Sequence, residues 1–246
     1  MLKILVTGCK GRMGQTVTEC VEDDAETSVG AGIDMGDSLP DGLGKSDIVI
    51  DFTLPGFTND VVTACLDQNK PLVMGTTGHT DEQLSRIKAA SESIPIVHAP
   101  NYSVGVNTLF WLTEKATEIL GSDFDLEVIE MHHRHKKDSP SGTARRLAEI
   151  LADVRGLSYD EDCRHGRFGD VGARTNTEIG VHALRGGDVV GDHTVVYAND
   201  GERVELTHKA SSRRTFAGGA VRAAKWLNKE GIKSGLYDMQ DVLGLK

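Results

Sequence analysis

The chain has 246 residues, 39% of them hydrophobic, and a formal net charge of −10. That length and apolar content suffice for one large or two modest buried cores and exclude a disordered chain. The acidic balance excludes a nucleic-acid surface, which needs a basic face, and the four widely spaced cysteines form no CxxC pair, excluding a zinc ribbon or disulfide framework. The thiols are expected to be reduced and the chain cytoplasmic. Its N-terminal apolar run is too short for a signal peptide, and no segment approaches the ~20 apolar residues that span a bilayer, so no membrane partner is expected.

The first hundred residues alternate strand and helix. Leu2 to Thr7 reads as an apolar strand, Arg12 to Val21 as a helix, and Val29 to Ile33 as a second strand. Asp47 to Phe52 is a third strand, Gly56 to Asp67 a helix, Pro71 to Met74 a strand, Asp81 to Ser91 a helix and Ile94 to His98 a strand. Such alternation with short links predicts a parallel, doubly wound sheet. Val104 to Leu120 reads as a long apolar helix and Phe124 to Met131 as a strand. A further helix follows, with Ala144, Leu147, Ile150, Leu151 and Val154 at helical spacing behind Pro140, Ser141 and Gly142. From Asn176 the pattern turns to strands with hairpin signals at Arg185-Gly186-Gly187-Asp188 and Asn199-Asp200-Gly201-Glu202, predicting an antiparallel meander through His208. Phe216 to Leu227 returns to helix. The change of pattern predicts a second domain inserted into the first.

Two stretches carry chemistry. Directly after the first strand, Gly8-Cys9-Lys10-Gly11-Arg12-Met13-Gly14 places glycines where a strand turns into a helix, which permits a tight turn and close approach of backbone to a pyrophosphate. Asp34, at the end of the second strand, is placed to accept from both ribose hydroxyls. With Met35 beside it, Asp34 favours NADH over NADPH, since a 2′-phosphate would face a like charge, while Lys10 and Arg12 pull the other way. Phe52-Thr53, Gly75-Thr76-Thr77-Gly78 and Ala99-Pro100-Asn101-Tyr102-Ser103 follow other strand ends and are placed to meet the nicotinamide half, although each alone is equally explained as a structural turn.

The second stretch, His132-His133-Arg134-His135-Lys136-Lys137, puts six consecutive potential cations between a strand end and a helix start. The amides of Gly142 and Thr143, the Thr143 hydroxyl and the helix dipole favour a carboxylate or phosphate there. A solvated surface run is the competing reading. If the extended conformation persists, His133 and His135 face one side and His132, Arg134 and Lys136 the other. No metal is expected, because no carboxylate or thiolate stands at a matching spacing. His182, His193 and His208 are expected to be packed or surface histidines, and Asp138 either orients the lysines or caps the loop.

Together, GCKGRMG at 8–14, GTTG at 75–78, APNYSVGV at 99–106, the block from Glu130 to Ala144, LRGGDVVGDHTV and the ending GLYDMQDVLGL resemble the 4-hydroxy-tetrahydrodipicolinate (dihydrodipicolinate) reductase family over essentially the whole chain. The resemblance implies a Rossmann-like α/β domain built from residues 1–103 and 214–246 that binds the dinucleotide. It implies an inserted α+β mixed-sheet domain, residues 104–213, that binds a small dicarboxylate substrate and assembles a homotetramer. The implied activity is reduction of 4-hydroxy-tetrahydrodipicolinate by NADH, preferred, or NADPH, in diaminopimelate and lysine biosynthesis. The family's roles map onto His132 as proton donor or acceptor and Lys136 as proton donor, with His133, Gly142 and Thr143 holding substrate. Cofactor contacts map onto Gly8, Cys9, Lys10, Gly11, Arg12, Met13, Asp34, Gly75, Thr76, Thr77, Ala99, Pro100, Asn101 and Tyr102, with Phe52 on the same rim. A catalytically silent dinucleotide-binding sensor on the same fold is the alternative.

Overall fold

A computed structural model describes residues 1–246. Along the chain run β1 (Leu2–Thr7), α1 (Arg12–Asp23), β2 (Thr27–Ile33), α2 (Leu39–Leu43), β3 (Ile48–Asp51), α3 (Thr58–Asp67), β4 (Leu72–Met74), α4 (Asp81–Ser91) and β5 (Pro95–His98). There follow α5 (Val104–Leu120), β6 (Asp125–His132), α6 (Gly142–Arg155), α7 (Tyr159–Asp162), β7 (Cys163–His165), β8 (Ile179–Arg185), β9 (Gly191–Asn199), β10 (Glu202–Ala210), α8 (Arg214–Leu227), β11 (Gly235–Tyr237) and α9 (Met239–Leu243). The chain divides into two compact units, Met1–Val104 with Arg213–Lys246, and Gly105–Ser212. No helix is long and apolar enough to cross a membrane.

The first unit is a six-stranded sheet in the order β11-β5-β4-β3-β1-β2, with every pairing parallel. Both faces are covered, so its strands read as continuous apolar runs. Ile4, Val6, Ile50 and Val73 point to one core with Val17 and Val21 of α1 and Ala220 and Val221 of α8. Their neighbours Leu5, Val49, Leu72 and Met74 point to the other, with Val61 and Val62 of α3 and Ile87 of α4. Local signals delimit the helices. Thr80 and Gln83 form a reciprocal capping box on α4, behind which Asp81 and Glu82 meet the positive end of the dipole. Because β1 lies between β2 and β3, the strand order reverses there, and the crevice opens at Gly8 and Phe52.

The second unit is a five-stranded mixed sheet in the order β10-β9-β6-β8-β7. One face packs Leu126, Val128, Val181, Val195 and Tyr197 against Leu109 of α5 and Leu147 and Leu151 of α6. The predicted meander is corrected here. The β9–β10 hairpin turns at Gly201 (φ 86°), but β8 and β9 do not pair with each other. β6 lies between them, parallel to β8 and antiparallel to β9. The Arg185–Asp188 segment is therefore a bridge across the end of β6, held by His133 N–H donating to the Val189 carbonyl (2.7 Å) and Gly186 N–H donating to the His132 carbonyl (2.9 Å). A glycine-rich link between two alternating runs has the composition of a hairpin turn whether or not a third strand intervenes. The extended alternation beyond β6 is corrected too: Lys136 N–H closes a turn on the His133 carbonyl (3.1 Å), so period two stops at His132.

Adjacent glycines on α8 provide a matched test of packing. A Cβ at Gly219 would overlap the backbone carbonyl of Tyr102, whereas one at Gly218 would have nothing within 4 Å. Gly218→Ala should stabilise the protein by roughly 0.5–1 kcal/mol through helix propensity, and Gly219→Ala should destabilise it by about 1–3 kcal/mol through overpacking. Urea unfolding of the two variants checks this; equal effects would contradict the close approach of α8 to Tyr102.

Candidate functional site

In the first unit the parallel strands bring Gly8, Asp34, Phe52, Gly75 and Ala99 to one edge of the sheet. Gly8 has φ +70°, and a Cβ on it would lie 2.6 Å from the Phe52 carbonyl oxygen; a Cβ on Gly14 would overlap the Gly8 carbonyl, and one on Gly75 the Phe52 ring. These are cradles that only glycine leaves open, at a helix start with no side-chain cap, so the turn fits a pyrophosphate. Asp34 Oδ2 accepts from Lys10 N–H (2.9 Å) and Oδ1 from Met35 N–H (2.8 Å). Those bonds, first Met35 and then Lys10, hold its carboxyl below the usual range. Met35 is 93% exposed and packs on nothing that would resist its exchange.

Gly8, Lys10, Gly11, Asp34 and Phe52 line a cavity of about 580 Å³. Met13, Phe52, Gly75, Thr76, Thr77, Pro100, Asn101 and Tyr102 line a second of about 420 Å³. Phe52 and Thr53 belong to both. Cys9, Arg12 and Ala99 line neither: the Cys9 side chain faces Gly32, Arg12 is exposed at the start of α1, and Ala99 is buried in the core. Beneath the rim lies Asp51, fully buried and given no role by the sequence reading. It accepts from the hydroxyls of Thr7 (2.5 Å), Thr53 (2.8 Å) and Thr76 (2.5 Å), and Thr76 Oγ1 in turn accepts from Thr53 N–H (2.8 Å). Three strand ends are thereby tied to one carboxylate. The Tyr102 hydroxyl reaches the carbonyls of Met74 and Val97, and burial pushes its acidity far from neutral pH.

In the second unit His132 is the last residue of β6, two positions after Glu130 and on the same face. Glu130 has no solvent exposure. Its carboxylate meets His132 Nδ1 at 2.6 Å, both terminal nitrogens of Arg185 at 2.9 Å and the Ser141 amide at 3.1 Å. Burial would raise its pKa, but Arg185, His132 and the Ser141 amide together hold it below the ordinary value. Ser141 also caps α6, its Oγ accepting from Ala144 N–H, so Gly142 and Thr143 form the first turn directly beside this cluster. Lys136, with a side chain 21% exposed, pairs with Asp138 at 3.0 Å, which identifies Asp138 as the lysine's partner. His133 and His135 have ring centroids 6.2 Å apart.

The setting favours the neutral form of His132. Burial lowers its pKa below the ordinary histidine value, outweighing the attraction of Glu130 and aided by Lys136 and Arg185. His193 is packed, as expected, but it is packed against the site: its ring lies 5.1 Å from that of His132, and its Nε2 bonds Ser141 Oγ at 3.0 Å. Burial pushes its pKa down to about 3. Glu130, Arg185 and His193 are the site residues the sequence reading passed over, and Ser141 was read only as part of a helix start. The one available signal was periodicity, which puts Glu130 in phase with the core residues Leu126 and Val128.

Comparison with known proteins divides the chain at the same first crossing, near residue 104, but assigns the returning segment from Arg213 to the C-terminal part. Sequence models described as the N-terminus and the C-terminus of dihydrodipicolinate reductase match residues 2–102 and 105–243. The chain belongs to the dihydrodipicolinate reductase family. A relative named 4-hydroxy-tetrahydrodipicolinate reductase from Akkermansia muciniphila is 58% identical over 100% of this chain and 99% of its own length. One of the same name from Hahella chejuensis is 46% identical, with 100% of both chains covered. Among solved structures, dipicolinate-bound dihydrodipicolinate reductase from a Paenisporosarcina species shares the fold, with a TM-score of 0.77 at 24% identity over 98% of each chain. Family membership makes the chain an oxidoreductase of a pyridine-nucleotide-dependent class.

Buried and half-buried histidines of the reductase set an acid dependence of stability. His79, His98, His132, His193 and His208 all have pKa values lowered by burial. An unfolded histidine protonates near pH 6.5, whereas folded His193 does so only near 3, so the unfolded state binds more protons between those values. Stability should therefore fall as pH drops from 6.5 toward 3, and His193→Gln should flatten that slope. Urea midpoints at stepped pH measure both; stability that held constant or rose toward acid would be inconsistent with a neutral His193.

Proposed function

We propose that this chain reduces 4-hydroxy-tetrahydrodipicolinate to tetrahydrodipicolinate, with loss of water, in diaminopimelate and lysine biosynthesis. The observation that carries this reading is the cation block His132–Lys137 beginning at the end of β6 beside the first turn of α6, where two carboxylates of a small substrate would find fixed partners. A bound dihydronicotinamide supplies the hydride. Hydride arrival at a carbon of a conjugated cyclic imine leaves negative charge on neighbouring atoms. The Lys136 ammonium stabilises that charge and donates the proton. In the loss of water, His132 accepts through Nε2 the ring proton eliminated with the hydroxyl and returns it to the departing hydroxyl, which leaves as water. His133, Gly142 and Thr143 hold the substrate carboxylates. A silent sensor would have no use for such a block.

The first unit is the nucleotide-binding domain in this reading, and Asp34 with Met35 favours NADH while leaving NADPH usable. The homotetramer implied by the resemblance would form through the open face of the second sheet, where Ile129, Met131, Leu184 and Val196 have no helix over them. The cytoplasm is the proposed site of action.

Oxidation of NADH by the chain with freshly generated 4-hydroxy-tetrahydrodipicolinate is the direct assay, and no turnover would end the proposal. Lys136→Ala should lower kcat on the order of 10²- to 10⁴-fold with NADH affinity little changed. His133→Ala should raise KM more than it lowers kcat. On the cofactor side, the kcat/KM ratio should favour NADH in the unaltered protein and move toward NADPH in Met35→Arg; an unaltered protein that prefers NADPH tenfold would reverse the reading of Asp34.

A further inference from the structure

Glu130 is fully buried, and four donors converge on its two oxygens: both terminal nitrogens of Arg185, the Ser141 amide and His132 Nδ1. An ionised carboxylate only accepts. The 2.6 Å contact therefore requires the proton of His132 to sit on Nδ1. That leaves Nε2 with a lone pair, on the side of Gly191, where a Cβ would come within 3.0 Å of it and where only hydrogen stands. Arg185 comes to this carboxylate from the end of β8, where it is the register partner of His132. Its fork matches the carboxylate with two parallel bonds, so the imidazole faces a neutralised ion pair rather than a bare negative charge.

We propose that Glu130 and Arg185 are paired positioning residues for His132: Glu130 fixes the Nδ1-protonated tautomer so that Nε2 is presented as a proton acceptor, and Arg185 balances the Glu130 charge. This rests on the reductase reading given above for its catalytic meaning, though not for its geometry. The other groups facing the imidazole are few. Lys136 lies on the following loop and is itself paired with Asp138, whose carbonyl accepts from Arg185 Nη2 (2.7 Å). His193 faces the ring from β9, with His208 as its partner on β10, and burial lowers the pKa of both, that of His193 to about 3. With those pairs matched in charge, removing either member of the Glu130–Arg185 pair moves His132 in opposite directions.

The test is histidine-selective ¹⁵N and ¹³C NMR on the full chain without substrate, followed by pH profiles of kcat/KM. The unaltered protein should show His132 protonated on Nδ1 with Nε2 as acceptor. In Glu130→Gln the amide can donate to Nδ1, so the tautomer should switch to Nε2–H and the titration of His132 should move to lower pH. Arg185→Met leaves Glu130 unbalanced, and the titration should move to higher pH, by on the order of one pH unit. Arg185→Lys keeps the charge and should restore the position of the unaltered protein. Should Glu130→Gln fail to fold, the Met and Lys variants carry the comparison alone. An Nε2–H tautomer at rest, or shifts of the same sign in Glu130→Gln and Arg185→Met, would overturn the inference, because loss of mere structure has no reason to reverse sign. The kinetic arm is read separately: Glu130→Gln should lower kcat on the order of 10²-fold or more if the acceptor nitrogen is needed in turnover. Unchanged kcat beside a switched tautomer would count against the catalytic reading of His132 and leave the positioning role established.

Discussion

A carboxylate taken out of water remains ionised only if the protein replaces every hydrogen bond that water gave it, and Glu130 imposes that demand on the second unit. Its donors come from its own strand at His132, from the end of β8 at Arg185, and from the cap of α6 at Ser141. None of these positions is free to move alone. The entry of α6 is fixed because the residue whose side chain caps it also gives its amide to Glu130. The bridge across the end of β6 is fixed because Arg185 must reach the same oxygens. The cation block leaves the sheet from this anchored point, which makes it a presented surface rather than a waving loop.

The first unit solves its own problem in the same currency of buried acid and local donors. Asp51 sits where β3 ends and gathers hydroxyls from the ends of β1 and β4 and from the loop after β3. Hydroxyls are weaker partners than a guanidinium, but they can donate while their own oxygens accept from the backbone, as Thr76 does from Thr53. The glycines above this acid leave space; the threonines around it remove freedom. A rim whose strand ends are tied by hydrogen bonds to one carboxylate buried beneath it has little to reorganise when a ligand arrives, which is the physical content of preorganisation.

Much of this was legible in the sequence, for reasons specific to particular segments. β1, β3 and β4 are covered on both faces, so they appear as near-continuous apolar runs, and the glycine turn draws its meaning from following β1 directly. The cation block and the Ser141 cap were visible because charge and capping are local properties. What stayed hidden was non-local. The Arg185–Asp188 link has the composition of a hairpin turn, and nothing within it reports that β6 lies between the strands it joins. The short elements Leu39–Leu43, Cys163–His165, Gly235–Tyr237 and Met239–Leu243 are too brief to show a period. Glu130 stood in phase with Leu126 and Val128, but an acid among core positions has meaning only once its partner, Arg185, is known to be beside it.

That partnership has a consequence for how the sheet finds its alignment. β6 and β8 pair in parallel with His132 opposite Arg185, and side chains along a strand alternate between faces. A slip of β8 by a single residue would carry Arg185 to the open face of the sheet and strand a buried negative charge with no cation to meet it. The same slip would turn Ile179 and Val181 out of the core, so charge and apolar pattern specify one register together. The contact that orients the histidine thus also acts as a proofreading step for strand register, and a chain folded in the wrong alignment would be unstable rather than merely inactive.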